Sequence, residues 1–190
     1  MLKVTLIAFC LLFLSLFLFS QAVRAEEIHF DKDVFVLKKM TPAIDRNGYD
    51  NEYFFKNEDS NYWTKMVGIY YYPDENSPLK FAANKDKEIE SQDTNVLLKF
   101  IENKKEDKAA ISFLQNGSIN GKNYFEYNIL KYEKHPDEGM MELRYAIRYF
   151  FKNDSEIIQI GNKVKEENDK FLQLIVSSPI PPIVKQDMQN

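Results

Sequence analysis

The sequence predicts an α+β domain, an antiparallel sheet of about six strands packed with helices, the last helix long and amphipathic. Three observations predict it. Strand-like runs come in two blocks separated by one helical block, an order that argues for antiparallel pairing rather than alternating βαβ units. The segment from Met141 to Phe151 alternates apolar and polar residues at period two. The segment from Asp154 or Ser155 to about Val176 carries apolar residues at helical spacing.

Residues 1–25 precede that domain and read as a cleavable secretory signal peptide. Lys3 supplies the positive start, Val4 to Phe19 is an apolar run broken only by Thr5 and Ser15, and Val23 and Ala25 stand where signal peptidase reads small residues. An uncleaved anchor is the competing reading, but the run is shorter than the ~20 residues a spanning helix needs. The only cysteine, Cys10, lies inside that run. It is misplaced for lipid attachment, and it leaves the mature chain without a disulfide framework. Cleavage after Ala25 leaves a single domain, residues 26–190. It also removes Lys3 and Arg24, taking the formal net charge from −4 to −6. Charges of both signs are interspersed, which argues against nucleic acid or an anionic membrane as partner. A composition rich in Lys, Asn, Ile and Tyr reads as an AT-rich bacterial genome and places the product in the periplasm or outside the cell.

The mature elements follow in order. Ile28 to Leu37 mixes β-branched and aromatic residues as a strand, with Thr41-Pro42 breaking it and Arg46-Asn47-Gly48-Tyr49 marking a turn. Glu52 to Phe55 is a short strand. Trp63 to Tyr72 is apolar on both faces, as a central strand covered on two sides should be. Ser77-Pro78 opens a helix, with Ser77 as N-cap and Pro78 at the first helical position. Apolar spacing carries that helix, or two successive ones, to about Glu102. Strands are expected over Ala109–Leu114, Tyr124–Tyr132 and Met141–Phe151, the last half-buried. The closing helix buries Ile157, Ile160, Val164, Phe171, Leu172 and Ile175, and Ser178-Pro179 ends it. From about Pro179 the tail is too rich in proline for helix or central strand, and it should be extended.

The strand Trp63–Tyr72 leading into a helix at Ser77-Pro78, followed by sheet strands and a closing amphipathic helix, resembles the Mog1/PsbP-like α/β sandwich proteins. The resemblance lies in layout over most of the mature chain. It implies architecture and carries over no functional residues.

The chemistry the sequence offers is sparse. The two histidines, His29 and His135, have no HxH or HExxH spacing, so no metal site and no cofactor is expected. There is no GxSxG and no glycine-rich phosphate loop. The carboxylate pairs Glu58-Asp59 and Asp137-Glu138 fall in turns, where such residues keep a loop solvated. Past residue 25 the chain has only three arginines, Arg46, Arg144 and Arg148. Arg144 and Arg148 lie four apart on one strand and share a face. As a pair of planar forks they suit an anion or carboxylate, and the plainer reading pairs them with Glu126 or Glu142 across the sheet. Aromatic clusters, Tyr70 and Tyr72 among them, suit an interaction face or simply a covered sheet. The candidate binding residues are therefore Arg144, Arg148, Tyr70 and Tyr72, with no catalytic set. These features suggest an exported, non-catalytic binding or accessory protein of the bacterial envelope, whose partner is a protein or a small ligand. Two alternatives stand beside it: a binder of a small molecule or lipid fragment between sheet and C-terminal helix, and a carboxylate-dependent hydrolase.

Overall fold

The chain forms four strands, a helix, four more strands and a second helix in the computed structural model, which describes residues 26–92 and 95–185. The first meander is β1 (Glu27–Phe30), β2 (Asp33–Ala43), β3 (Gly48–Phe54) and β4 (Lys65–Tyr72). Helix α1 (Pro78–Glu90) leads to the second meander, β5 (Asn95–Asn103), β6 (Lys108–Ile119), β7 (Lys122–Lys134) and β8 (Met140–Phe151), and α2 (Asp154–Ser177) follows. All eight strands pair antiparallel in one sheet, in the order β1-β2-β3-β4-β8-β7-β6-β5. The last strands of the two meanders therefore meet at the centre, where Gly68 stands opposite Arg144 and Tyr70 opposite Glu142.

The sheet has eight strands where about six were expected, and each difference has a local cause. The expected strand 28–37 is a hairpin folded at Asp31-Lys32, with Asp31 in the left-handed region at φ 53°. β2 continues through Thr41-Pro42, because β1 stops pairing at Val36 and a sheet edge tolerates proline. Residues 95–103 form β5 and not a helix. A register shift between Leu97 and Lys99 breaks the period of two, so that Leu97, Phe100 and Ile101 fall at spacings that mimic a helix. β6 runs on to Ile119 and turns at Asn120-Gly121, both at positive φ as a tight hairpin turn requires.

The helices start where the sequence predicts. Ser77 accepts from the Lys80 amide at 3.4 Å with Pro78 at the first position. The α2 cap is Asn153, one residue earlier than expected, accepting from the Glu156 amide at 3.1 Å. The helices lie on opposite faces. Val164, Phe171, Leu172 and Ile175 of α2 pack with Ala110, Tyr127, Ile129 and Tyr145 on the front face. Ala82 and Ile89 of α1 pack with Ala109, Ile111, Leu130 and Tyr132 on the back. No helix among the described residues is long and apolar enough to cross a membrane.

Both helices stand over the second meander, and the first is covered differently on its two faces. On the front, the tail Pro179–Lys185 adds Ile180 and Ile183 to the core. Asn51, fully buried on β3, clasps it: its side chain donates to the Val184 carbonyl at 2.9 Å and accepts from the Val184 amide at 2.6 Å. Lys131 donates to the Ser178 carbonyl at 2.6 Å, neutralising the C-terminal end of α2. On the back, α1 reaches only as far as the rim of β4, where Phe81 meets Tyr72 at 4.9 Å. β8 is central and buried on both faces, not half-buried as expected, so its polar side is an interior surface.

Candidate functional site

A cleft of about 330 Å³ opens on the back face, between α1 and the 3-10 turn Ile44–Arg46. Its floor is Tyr70 and Tyr72 from β4 with Glu142 and Arg144 from β8. Phe81 and Lys85 of α1 form one wall, Arg46 and Asp50 the other, and Tyr132 and Phe113 lie at the end beneath α1. The volume falls at the small end of ligand-binding pockets.

Strand register builds the floor. Glu142 is directly opposite Tyr70 on one side and Tyr132 on the other, so one row across three strands reads Tyr70, Glu142, Tyr132. Gly68 leaves room for the Tyr70 ring to lie along the strand, since a Cβ there would meet the ring and its hydroxyl at 2.5 Å. Tyr72 donates to Glu142 Oε2 at 3.0 Å, and the Arg46 guanidinium lies 4.6 Å from the centre of its ring. Arg46 is in turn held by Asp50.

Arg144 is fixed from behind: its Nε donates to Asn128 Oδ1 at 2.9 Å and its terminal nitrogen to Glu126 Oε1 at 2.5 Å. Arg148 donates to the other oxygen of the same carboxylate at 2.9 Å, and its guanidinium lies 3.7 Å from the Trp63 ring centre and 4.6 Å from that of Tyr124. Glu126, itself buried, thus bridges both arginines. The structure brings Tyr70, Tyr72 and Arg144 together in the cleft, while Arg148 sits further along β8 beside the apolar cluster of Phe54, Trp63, Met66 and Ala146.

The electrostatics of the floor are those of a polar interior. Burial pushes the Glu142 carboxyl above its ordinary range, against the opposing pull of Arg144, the Tyr72 hydrogen bond, Lys85 and Arg46. Burial likewise pushes the hydroxyls of Tyr70, Tyr72 and Tyr132 well up, so all three are neutral hydrogen-bonding groups at physiological pH. Burial works against the Arg144 charge, and a hydrogen bond with Tyr70 together with the Glu126 and Glu142 carboxyls outweighs it. Two buried polar atoms of the lining have no hydrogen-bond partner, the Tyr132 hydroxyl and Arg46 Nε. The hydroxyls of Tyr53, Ser112 and Tyr145, outside the cleft lining, are likewise buried without a partner among the described residues.

Sequence reasoning missed Glu142, Tyr132 and Arg46 as lining residues. Glu142 was legible in principle, since it precedes Arg144 by two on the same strand face. Tyr132 and Arg46 join the site only through strand order and a turn. The turn carboxylates serve locally: Glu58 accepts from the Thr64 amide and hydroxyl at 3.0 and 2.6 Å, and Asp59 from the amides of Asn61 and Tyr62. His29 lies on β1 and His135 beyond β7, its ring 5.0 Å from that of Tyr71. Among the described residues no three His, Cys, Asp or Glu side chains are grouped to hold a metal ion. The signal segment, residues 1–25, lies outside the described residues.

In comparison with known proteins, a family model matches residues 23–180 of the chain. No curated protein and no solved structure matches it.

Proposed function

The chain belongs to the uncharacterised family matched over residues 23–180, and from that premise we propose that it is an exported, non-catalytic protein of the bacterial envelope that binds a small molecule in the back-face cleft. The observation that carries the binding reading is a cleft of about 330 Å³ with a polar, pre-arranged floor, where Tyr72 holds Glu142 at 3.0 Å and Asn128 and Glu126 hold Arg144. Export rests on the charged start, apolar run and small-residue site of residues 1–25. The cleft replaces the space between sheet and C-terminal helix as the ligand site in this reading, because α2 presses Phe171, Leu172 and Ile175 directly into the core.

The test has two readouts. Protein recovered from the periplasmic fraction of an expressing bacterium should begin at Glu26, and recovery of Met1 would overturn export. Titration of the same protein with a library of polar fragments should move amide resonances of Tyr70, Glu142 and Arg144. Shifts confined to the front face, or none with any fragment, would overturn the binding site.

A further inference from the structure

Strand register places the cleft floor and the C-terminal tail on opposite sides of the same four strands. Lys131 of β7, Leu143 of β8, Ile69 of β4 and Asn51 of β3 stand opposite one another in turn, making one row on the front face. Tyr132, Glu142, Tyr70 and Asp50 make the adjacent row, and all four line the cleft on the back. Each residue of one row is the chain neighbour of a residue of the other.

The tail follows the front row from end to end. It starts at Lys131, whose ammonium donates to the Ser178 carbonyl at 2.6 Å, and it reaches Asn51, which exchanges two hydrogen bonds with Val184. Three strand spacings come to about 14 Å. The extended chain from Ser178 to Val184 reaches about 19 Å, so it spans the row with little slack. Between the two clasps, Pro179 and Pro181 line one cavity with Leu143, and Ile180 and Ile183 pack on the core that holds Leu143 and Ile69.

We infer that Asn51 and Lys131 are positioning residues of the cleft: by fastening the tail across the front row, they hold the floor residues of the back row in place. This rests on the binding reading above and adds to it the device that sets the shape of the site.

Two physical points support it. Burying an amide and an ammonium is costly unless both are bonded. Asn51 and Lys131 are buried, and what they bond at the two ends of the row is tail backbone, with Glu133 3.1 Å from Lys131 as well. Successive side chains of a strand leave opposite faces of one pleated ribbon, so the two rows share their peptide planes. A load on Leu143 and Ile69 therefore bears on Glu142 and Tyr70. Helix α1 packs over Tyr132 at one end of the back row, and toward Asp50 the tail supplies the hold from the front.

The experiment uses the full protein as isolated from cells and follows two back-face side chains by NMR, the Glu142 carboxyl through its titration and Arg144 through its Nε–H proton. The tail variant Ile180→Asp with Ile183→Asp and Val184→Pro changes no residue of the sheet, and limited proteolysis after Ser178 should show its tail released. Its Glu142 midpoint, raised by burial in the parent, should fall toward about pH 4 as the floor loosens, and its Arg144 Nε–H resonance should shift or broaden. Asn51→Ala should move both signals the same way. Ile180→Leu with Ile183→Leu, which keeps the tail apolar, should retain the parent values. Leu174→Ala, which loosens the front core outside the tail, should retain them too. Signals unmoved in both the tail variant and Asn51→Ala would overturn the positioning role, as would equal movement in Leu174→Ala or a tail still shielded from protease in the triple variant. None of these readouts needs a ligand, so the positioning role can fail while the fragment titration still finds the site, and the reverse.

Discussion

Tyr72 reaches across from β4 to hydrogen-bond Glu142 on β8 at 3.0 Å, the one hydrogen bond this buried carboxyl makes among the described residues. The groups facing it are Tyr70 and Tyr72 from β4, Tyr132 from β7, Arg144 from its own strand, Arg46 from the turn and Lys85 and Glu88 from α1. Burial outweighs the three cations, so the folded protein holds the Glu142 proton to higher pH than the unfolded chain does. Over that window the folded state binds more protons, and stability contributed by Glu142 falls as pH rises from the ordinary carboxylate value through the raised one. Glu142→Gln, which keeps an acceptor for Tyr72 and has nothing to titrate, should therefore be more stable than the parent at neutral pH. The difference should close below the ordinary carboxylate value. Urea denaturation of both proteins from about pH 4 to about pH 8 measures it, and parallel stability curves would contradict the assignment.

Gly68 and Tyr70 give a second prediction. A Cβ on Gly68 would collide with the Tyr70 ring, and Gly117 seats Tyr124 in the same way outside the cleft. Each alanine variant should lose roughly 1–3 kcal/mol to overpacking. Gly68→Ala should also displace the Tyr70 ring from the floor and perturb the resonances of Glu142 and Arg144, its neighbours across the strand pair. Gly117→Ala should leave those resonances in place. Equal perturbation of the cleft by both would mean that Gly68 has no special part in building it.

The sequence made some of this fold legible and hid the rest for identifiable reasons. β8 was readable because one face is apolar at every second residue from Met141 to Phe151, with Glu142, Arg144 and Arg148 opposite, and α2 because one stripe of apolar residues faces the sheet. β5 was not, because a bulge gives a strand the spacing of a helix. The β1–β2 turn was not, because Asp31 alone takes the left-handed conformation between two apolar runs. Of the candidate binding residues, Tyr70, Tyr72 and Arg144 share the cleft because alternation on a strand fixes the face a residue takes. The partners Tyr132 and Arg46 depend on β8 lying between β4 and β7, a non-local choice that strand periodicity does not encode.

Asn51 holds the C-terminal tail by imitating a neighbouring strand, giving and receiving one hydrogen bond with the backbone of Val184. Asn51→Ala should remove both bonds and leave the interior floor of β3 with a cavity, costing roughly 1–3 kcal/mol. The tail should then detach from its place over Tyr49 and Tyr71, where the Lys185 ammonium lies 5.3 and 5.5 Å from the two ring centres. Limited proteolysis reads this directly. Cleavage after Ser178 should accelerate in the variant while the sheet amides keep their exchange protection. Unaltered cleavage would show that Ile180 and Ile183 anchor the tail without the clasp.

Glu126 sets apart the two arginines of β8. Its carboxylate accepts from Arg144 at 2.5 Å and from Arg148 at 2.9 Å, the carboxylate buried and the two arginines partly so. Arg148 has a further hold, lying between the rings of Trp63 and Tyr124. Removing the shared anion strands two partly buried cations, and Glu126→Ala should cost about 3 kcal/mol. Arg148→Met should cost less, because Glu126 keeps Arg144 and methionine fills the space between the rings. The double variant Glu126→Ala with Arg148→Met should be more stable than the sum of the two losses implies, since removing Arg148 relieves one of the stranded charges. Chemical denaturation of the parent, both single variants and the double variant completes the cycle. Simple additivity would mean that Arg148 rests on its aromatic neighbours alone, and that Glu126 serves only to hold Arg144 at the floor of the cleft.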